Sequence, residues 1–159
     1  MKIAVSSIKP FTPSRNFCYL VRVDKAQGWW IEYIVDISPL SPHLYCLFTE
    51  RYDLRFVRQN FFMVSFYSLD ALLGGKHLYE PEPRMRYSKD ELQEMLLKGI
   101  GEAIAIFIQE HAPCVLIALP ARPGLARIYD RLLNAQAMYS GYRYITHYKE
   151  DGIYVIEKR

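Results

Sequence analysis

Arg122, Gly124 and Arg127 stand where the sequence marks the start of a helix, directly after the apolar run at 114–119. Two guanidinium groups, a glycine and the positive end of a helix dipole together can hold an anion. In folds of sheet and helix, ligands often sit beyond the carboxyl ends of strands, which is where this group falls. The same residues also make an ordinary helix start with solvated arginines. Further along that helix, Leu125, Ile128, Tyr129, Leu132 and Leu133 recur at helical spacing, so a tyrosine hydroxyl rides on an otherwise apolar stripe.

Trp29 and Trp30 are adjacent. On a strand they point to opposite sides, which leaves one of the two exposed, either as a candidate partner surface or as a cap on the end of the core. Two segments, 55–62 and 142–149, interleave aromatic and basic residues, a composition that can stack bases and hold phosphates. Alternation along a strand more often separates a buried ring face from a wet charged one, which disfavours nucleic acid. His43, His77, His111 and His147 are scattered without ligand spacing, so no metal site is expected. Cys18, Cys46 and Cys114 lack the CxxC pattern and read as buried thiols in a reducing compartment. The chain has neither the GxSxG pattern nor a phosphate-binding Walker loop.

The elements that position these residues follow from composition and periodicity. A chain of 159 residues with 51% hydrophobic content suffices for one core, so a single domain over 1–159 is expected. Thirteen tyrosines and eight phenylalanines favour strands over a helical bundle. A net charge of +3 is too small to argue for a nucleic-acid or membrane partner. Residues 1–15 carry charge and proline where a secretory leader needs an apolar run, and no window is long and apolar enough for a membrane span. A soluble, cytoplasmic chain is the expectation.

Residues 1–6 suggest an edge strand or a tail. Residues 16–24 and 29–36, joined by a turn ending in Gly28, predict an antiparallel hairpin. Residues 44–49 suggest another strand, 52–58 are ambiguous, and 60–67 predict a strand inside the sheet. An irregular connection over 72–83 precedes a helix from Ser88, where Glu91 completes a capping box. Leu92, Met95, Leu96, Ile100, Ala103, Ile104, Phe107 and Ile108 form its broad apolar stripe, and Gly99 and Gly101 within it point to close packing on the sheet. The run at 114–119 predicts a buried strand. A helix over about 123–138 follows, then a strand at 142–148, a turn at 149–152 and a return strand at 153–157.

This order resembles the GNAT superfamily of N-acetyltransferases. Residues 88–159 carry the resemblance at motif level. Ala126-Arg-Ile-Tyr129 with Arg131-Leu-Leu133 is similar to that family's fourth helix, and Gly141-Tyr142 to the Gly-Phe that opens the next strand. An insertion between Leu133 and Gly141 departs from the pattern. The resemblance implies an α/β (α+β) fold: a mixed, largely antiparallel sheet, two main helices at about 88–111 and 123–138, and a C-terminal β-hairpin. It also implies a role for Tyr129 as general acid, protonating the thiolate of coenzyme A. A phenol with a pKa of about 10 suits that step. A tyrosine on such a stripe also packs with its hydroxyl tied to backbone.

The family holds the coenzyme pyrophosphate on a glycine-rich loop before the long helix. The equivalent stretch here, 77–88, has no glycine, has Pro81 and Pro83, and carries Glu80 and Glu82. Prolines remove amide donors and carboxylates repel phosphate. Arg84 and Arg86 offer flexible positive charge in place of an amide cradle. The expectation is therefore a GNAT-like scaffold without ordinary acetyl-CoA chemistry and with no cofactor, serving as a protein-binding or regulatory module. The alternatives are a divergent acyl-CoA-dependent N-acyltransferase using acetyl-CoA and Tyr129, and a nucleic-acid-binding protein.

Overall fold

The computed structural model of the chain describes residues 1–10, 15–75, 85–120, 123–136 and 141–159. Among these residues seven strands form: β1 (Lys2–Ile8), β2 (Phe17–Asp24), β3 (Trp30–Pro39), β4 (Phe61–Ser68), β5 (Val115–Ala118), β6 (Tyr142–Ile145) and β7 (Tyr154–Lys158). They are hydrogen-bonded in the order β1-β2-β3-β4-β5-β7-β6. β1 runs antiparallel to β2, from Lys2 opposite Asp24 to Ile8 opposite Cys18. β4 and β5 are parallel, from Phe61 opposite Val115 to Val64 opposite Ala118. β7 is antiparallel to both β5 and β6. The sheet is thus mixed and mostly antiparallel.

The helices are α1 (Leu54–Asn60), α2 (Leu69–Leu73), α3 (Lys89–Met95), α4 (Gly101–His111) and α5 (Pro123–Gln136). A single π turn, Leu96–Ile100, joins α3 to α4. The long helix expected from Ser88 is therefore continuous in path but widened in the middle. The chain divides into two compact units: residues 1–36 with 65–110, and residues 37–64 with 111–159.

In the first unit, Val21 and Val23 of β2 and Ile31, Ile34 and Val35 of β3 are fully buried, as are Ala103 and Phe107 of α4. Phe17 packs on Phe107 with ring centroids 5.1 Å apart. The π turn lies against β1 and β2. Gly99 permits that approach, because a Cβ there would lie 2.8 Å from Val21 Cγ1.

In the second unit, Leu40, Phe48, Val57, Phe61, Val115, Ile117, Ile145, Tyr148, Ile153 and Val155 form one apolar core. Phe48 meets the rings of Phe61 and Tyr148 edge-on, each at 5.1 Å. Asp53 caps α1 by accepting from the Arg55 and Phe56 amides, which settles the ambiguous 52–58 segment as a helix start.

Three local expectations are corrected. Residues 44–49 are not a strand; a 3-10 helix occupies Pro42–Leu47. Pro42 suits a first helical turn, and the Leu44 amide bonds the Ser41 carbonyl, so the run turns inward to deliver Phe48 to the core. Residues 142–148 are a strand only to Ile145. A 3-10 helix over Thr146–Asp151 then turns Tyr148 into the core and ends on Gly152 at φ 74°. Finally, the cysteines are not uniformly buried: Cys18 is buried, Cys114 partly so, and Cys46 on the outer side of the 3-10 turn is exposed.

Candidate functional site

The C-terminal helix and hairpin gather a cluster of polar aromatic residues. α5 begins at Pro123, whose missing amide costs nothing at a first turn, and is anchored by buried Leu125. Tyr129 and Asp130 follow on its inner side. The Tyr129 ring is half-buried and meets the Tyr154 ring edge-on, with centroids 5.8 Å apart. Tyr144 of β6 lies nearly parallel to Tyr154 at 6.4 Å and donates its hydroxyl to Asp130 Oδ1 at 2.9 Å. Lys149 Nζ is 3.7 Å from the same oxygen. Burial raises the Tyr144 pKa, and the hydrogen bond to the Asp130 carboxylate raises it further. Tyr154 is likewise raised, by burial first and then by Asp130 and Glu150. These two phenols stay protonated at neutral pH. They can donate hydrogen bonds, and they cannot serve as bases there.

Of the expected anion site, the described residues Gly124, Arg127 and Arg86 make no hydrogen bond or ion pair with this cluster. Arg127 is exposed. Gly124 is exposed, with no atom within 4 Å of where a Cβ would stand, so no close backbone approach calls for glycine there. Arg122 lies outside the described residues. Arg84 does as well, together with most of the 77–88 stretch.

At the start of α3, the side chains of Ser88, Glu91 and Lys25 are tied to partners on the chain. Ser88 Oγ accepts the Glu91 amide at 3.1 Å, and Glu91 Oε2 accepts the Ser88 amide at 2.9 Å, closing the capping box. Lys25, from the β2–β3 connection, reaches Glu91 Oε2 at 3.0 Å and donates to the carbonyls of Met85 and Arg86. The Ser88 hydrogen bond and then Lys25 hold the Glu91 pKa below the ordinary carboxylate range. Arg86 itself is exposed and sits at φ 38°. Tyr87 hydrogen-bonds Tyr33 hydroxyl to hydroxyl at 2.9 Å, and burial pushes its pKa up.

Trp29 and Trp30 are not split between two faces of a strand. Trp29 ends a 3-10 turn (Ala26–Gly28), and β3 starts only at Trp30. Both are about half exposed, at 47% and 50%. Arg22, itself bonded to Asp24, lies 4.4 Å from the Trp30 ring centroid and stacks on it.

In the aromatic-basic segments Phe61, Tyr142 and Tyr148 are buried, and Phe56, Phe62 and Tyr144 are half-buried. Tyr52 and Phe56 stack at 5.9 Å and both meet Phe61 edge-on. Cys18 is buried beside Asp36, and burial pushes its thiol up to about 11, which disfavours the thiolate. Among the described residues no group of three His, Cys, Asp or Glu is placed to hold a metal ion. No helix among them is long and apolar enough to cross a membrane.

Asp130 and Lys25 were not singled out from the sequence, and Tyr144 and Lys149 only as members of the 142–149 segment. Tyr144 is fourteen residues from Asp130 and Lys25 is 66 from Glu91, separations at which no local pattern links them. The one usable signal was the hairpin, which carries Tyr144 and Tyr154 on neighbouring strands. No family model, curated protein or solved structure matches this chain.

Proposed function

We propose that this chain is a protein-binding module on a GNAT-like scaffold and does not perform ordinary acetyl-CoA chemistry. The observation that carries the reading is the pair Trp29–Trp30, both half exposed at the entry to β3, with Arg22 stacked on the second ring. Tryptophan and arginine are the side chains that most often dominate protein interfaces. Two such rings left in water at the end of a hairpin gain by being covered.

The start of α3 supports the second half of the reading. A coenzyme pyrophosphate needs free amides and positive potential at a helix start. Here the Ser88 and Glu91 amides are taken by the capping box, and Asp90 and Glu91 place negative charge in the first turn. Lys25 is drawn to Glu91 and to two backbone carbonyls.

Two measurements test the reading. Tagged wild-type chain purified from its own cells should retain a partner that the Trp29→Ser/Trp30→Ser double variant loses, with both proteins folded. A partner kept equally by the double variant, or no partner at all, counts against it. Acetyl-CoA at millimolar concentration should leave the melting temperature unchanged, since only a ligand that binds the native state raises it. A clear rise, together with acyl transfer slowed by Tyr129→Phe, would establish the acyltransferase alternative instead.

A further inference from the structure

α1 carries a surface that the tryptophan pair does not explain. Asp53, Leu54, Arg55, Arg58 and Gln59 line a concavity of about 540 Å³. All five are exposed, and Leu54 is 50% exposed. Arg55 and Arg58 are one helical turn apart, so their guanidinium groups flank the same hollow. Arg22 and Arg143 are paired with Asp24 and Glu157 at 3.1 and 2.9 Å. No carboxylate among the described residues forms an ion pair with Arg55 or Arg58. The acid in the hollow is already engaged: Asp53 Oδ1 accepts the amides of Arg55 at 2.9 Å and Phe56 at 3.4 Å.

We propose that this face of α1 docks a short acidic segment of a partner protein, with carboxylates on Arg55 and Arg58 and an apolar side chain on Leu54. Planar guanidinium groups match carboxylates two hydrogen bonds at a time. The half-exposed Leu54, which lines the same hollow, supplies apolar area that a purely anionic ligand would leave wet. A single-stranded nucleic acid fits less well. It would stack bases on rings, and the rings of this segment, Tyr52 and Phe56, are packed against Phe61. The proposal rests on the second unit alone and stands whether or not the tryptophan pair binds anything.

The test uses the full chain and a fluorescein-labelled peptide of alternating glutamate and leucine, read by fluorescence polarisation at physiological salt. Wild type should bind. Arg55→Glu and Arg58→Glu should each weaken binding about tenfold, the loss expected for one charge-assisted contact. The milder Arg55→Gln and Arg58→Gln should weaken it in the same order, which guards against a charge reversal that disturbs folding. Lys89→Glu, the same charge change at an exposed position of α3, should leave affinity within twofold. A glutamate–serine peptide should bind more weakly than the glutamate–leucine one. No binding by wild type overturns the proposal. Equal weakening by Lys89→Glu also overturns it, since attraction would then be a matter of net charge. Tighter binding of an oligothymidine probe than of the peptide overturns the choice of partner.

Discussion

Replacing Gly99 with alanine isolates the packing of the π turn on the sheet. The new Cβ would stand 2.8 Å from Val21 Cγ1 and 3.6 Å from Ile3 Cγ2. Carbon atoms rest at about 3.5–4.0 Å, so one contact is acceptable and the other is a clash. Val21 is fully buried and branched at Cβ, so it has few rotamers into which to retreat. Overpacking of this kind costs roughly 1–3 kcal/mol. Alanine recovers about 1 kcal/mol of helix propensity over glycine. The net expectation is a loss of about 1 kcal/mol, which for a chain of this size lowers the melting temperature by about 2–4 °C. Gly101→Ala is the control. Its Cβ would lie 3.3 Å from the Leu96 carbonyl oxygen of the same helix, away from the sheet. Thermal and urea unfolding of both variants should place Gly99→Ala below Gly101→Ala. A Gly99→Ala protein as stable as wild type, or more so, would refute the claim that the helix needs that glycine to reach β2.

Tyr148 is 5% exposed, and its hydroxyl has no hydrogen-bond partner among the described residues, whereas the buried Tyr142 hydroxyl donates to the Pro113 carbonyl. Tyr148→Phe should therefore be neutral or gain about 1 kcal/mol, and Tyr142→Phe should lose about 1–2 kcal/mol; equal losses in urea unfolding would reveal a hidden partner for Tyr148. Glu91 and Asp36 should titrate in opposite directions. The Glu91 pKa is lowered by the Ser88 hydrogen bond and Lys25, so its stabilisation is present above the unfolded carboxylate pKa and lost as pH falls through the folded one. Burial raises the Asp36 pKa against the Asn16 hydrogen bond, so its charge is a penalty at neutral pH that is relieved as pH falls through the raised value. Carboxyl carbon NMR should find Glu91 below and Asp36 above the free-residue range, and the reverse order would contradict both assignments. Lys25→Met should destabilise the chain and return the Glu91 pKa toward its ordinary value, and an unmoved Glu91 titration would show that Lys25 contributes nothing there.

Features carried by neighbouring residues were legible in the sequence. Ser88 and Glu91 are three apart and made the capping box that their types predict. Gly152 ends the turn before β7 at positive φ, and the flanking apolar runs pair as a hairpin. The run at 44–49 misled because a short apolar stretch fits strand and helical turn alike, and Pro42 decided between them. Asp53 was a readable cap signal for α1 that the charged residues around it obscured. The Asp130–Tyr144–Lys149 cluster and the Lys25 contacts were not readable. They depend on side chains brought together by the pairing of β6 with β7 and by the path of the β2–β3 connection, which no local spacing encodes.

The π turn also sets where this chain can change length. A π turn holds one residue more than an α turn, and each residue advances a helix by about 100°. Removing solvent-exposed Lys98 should let the wide turn relax to an ordinary one while Ala103 and Phe107 keep their direction. Removing a residue from within α4 instead would swing every later side chain a quarter-turn or more off its seat. The segment from Leu96 to Ile100 is thus a place where a one-codon deletion can be absorbed without re-phasing the helix beyond it.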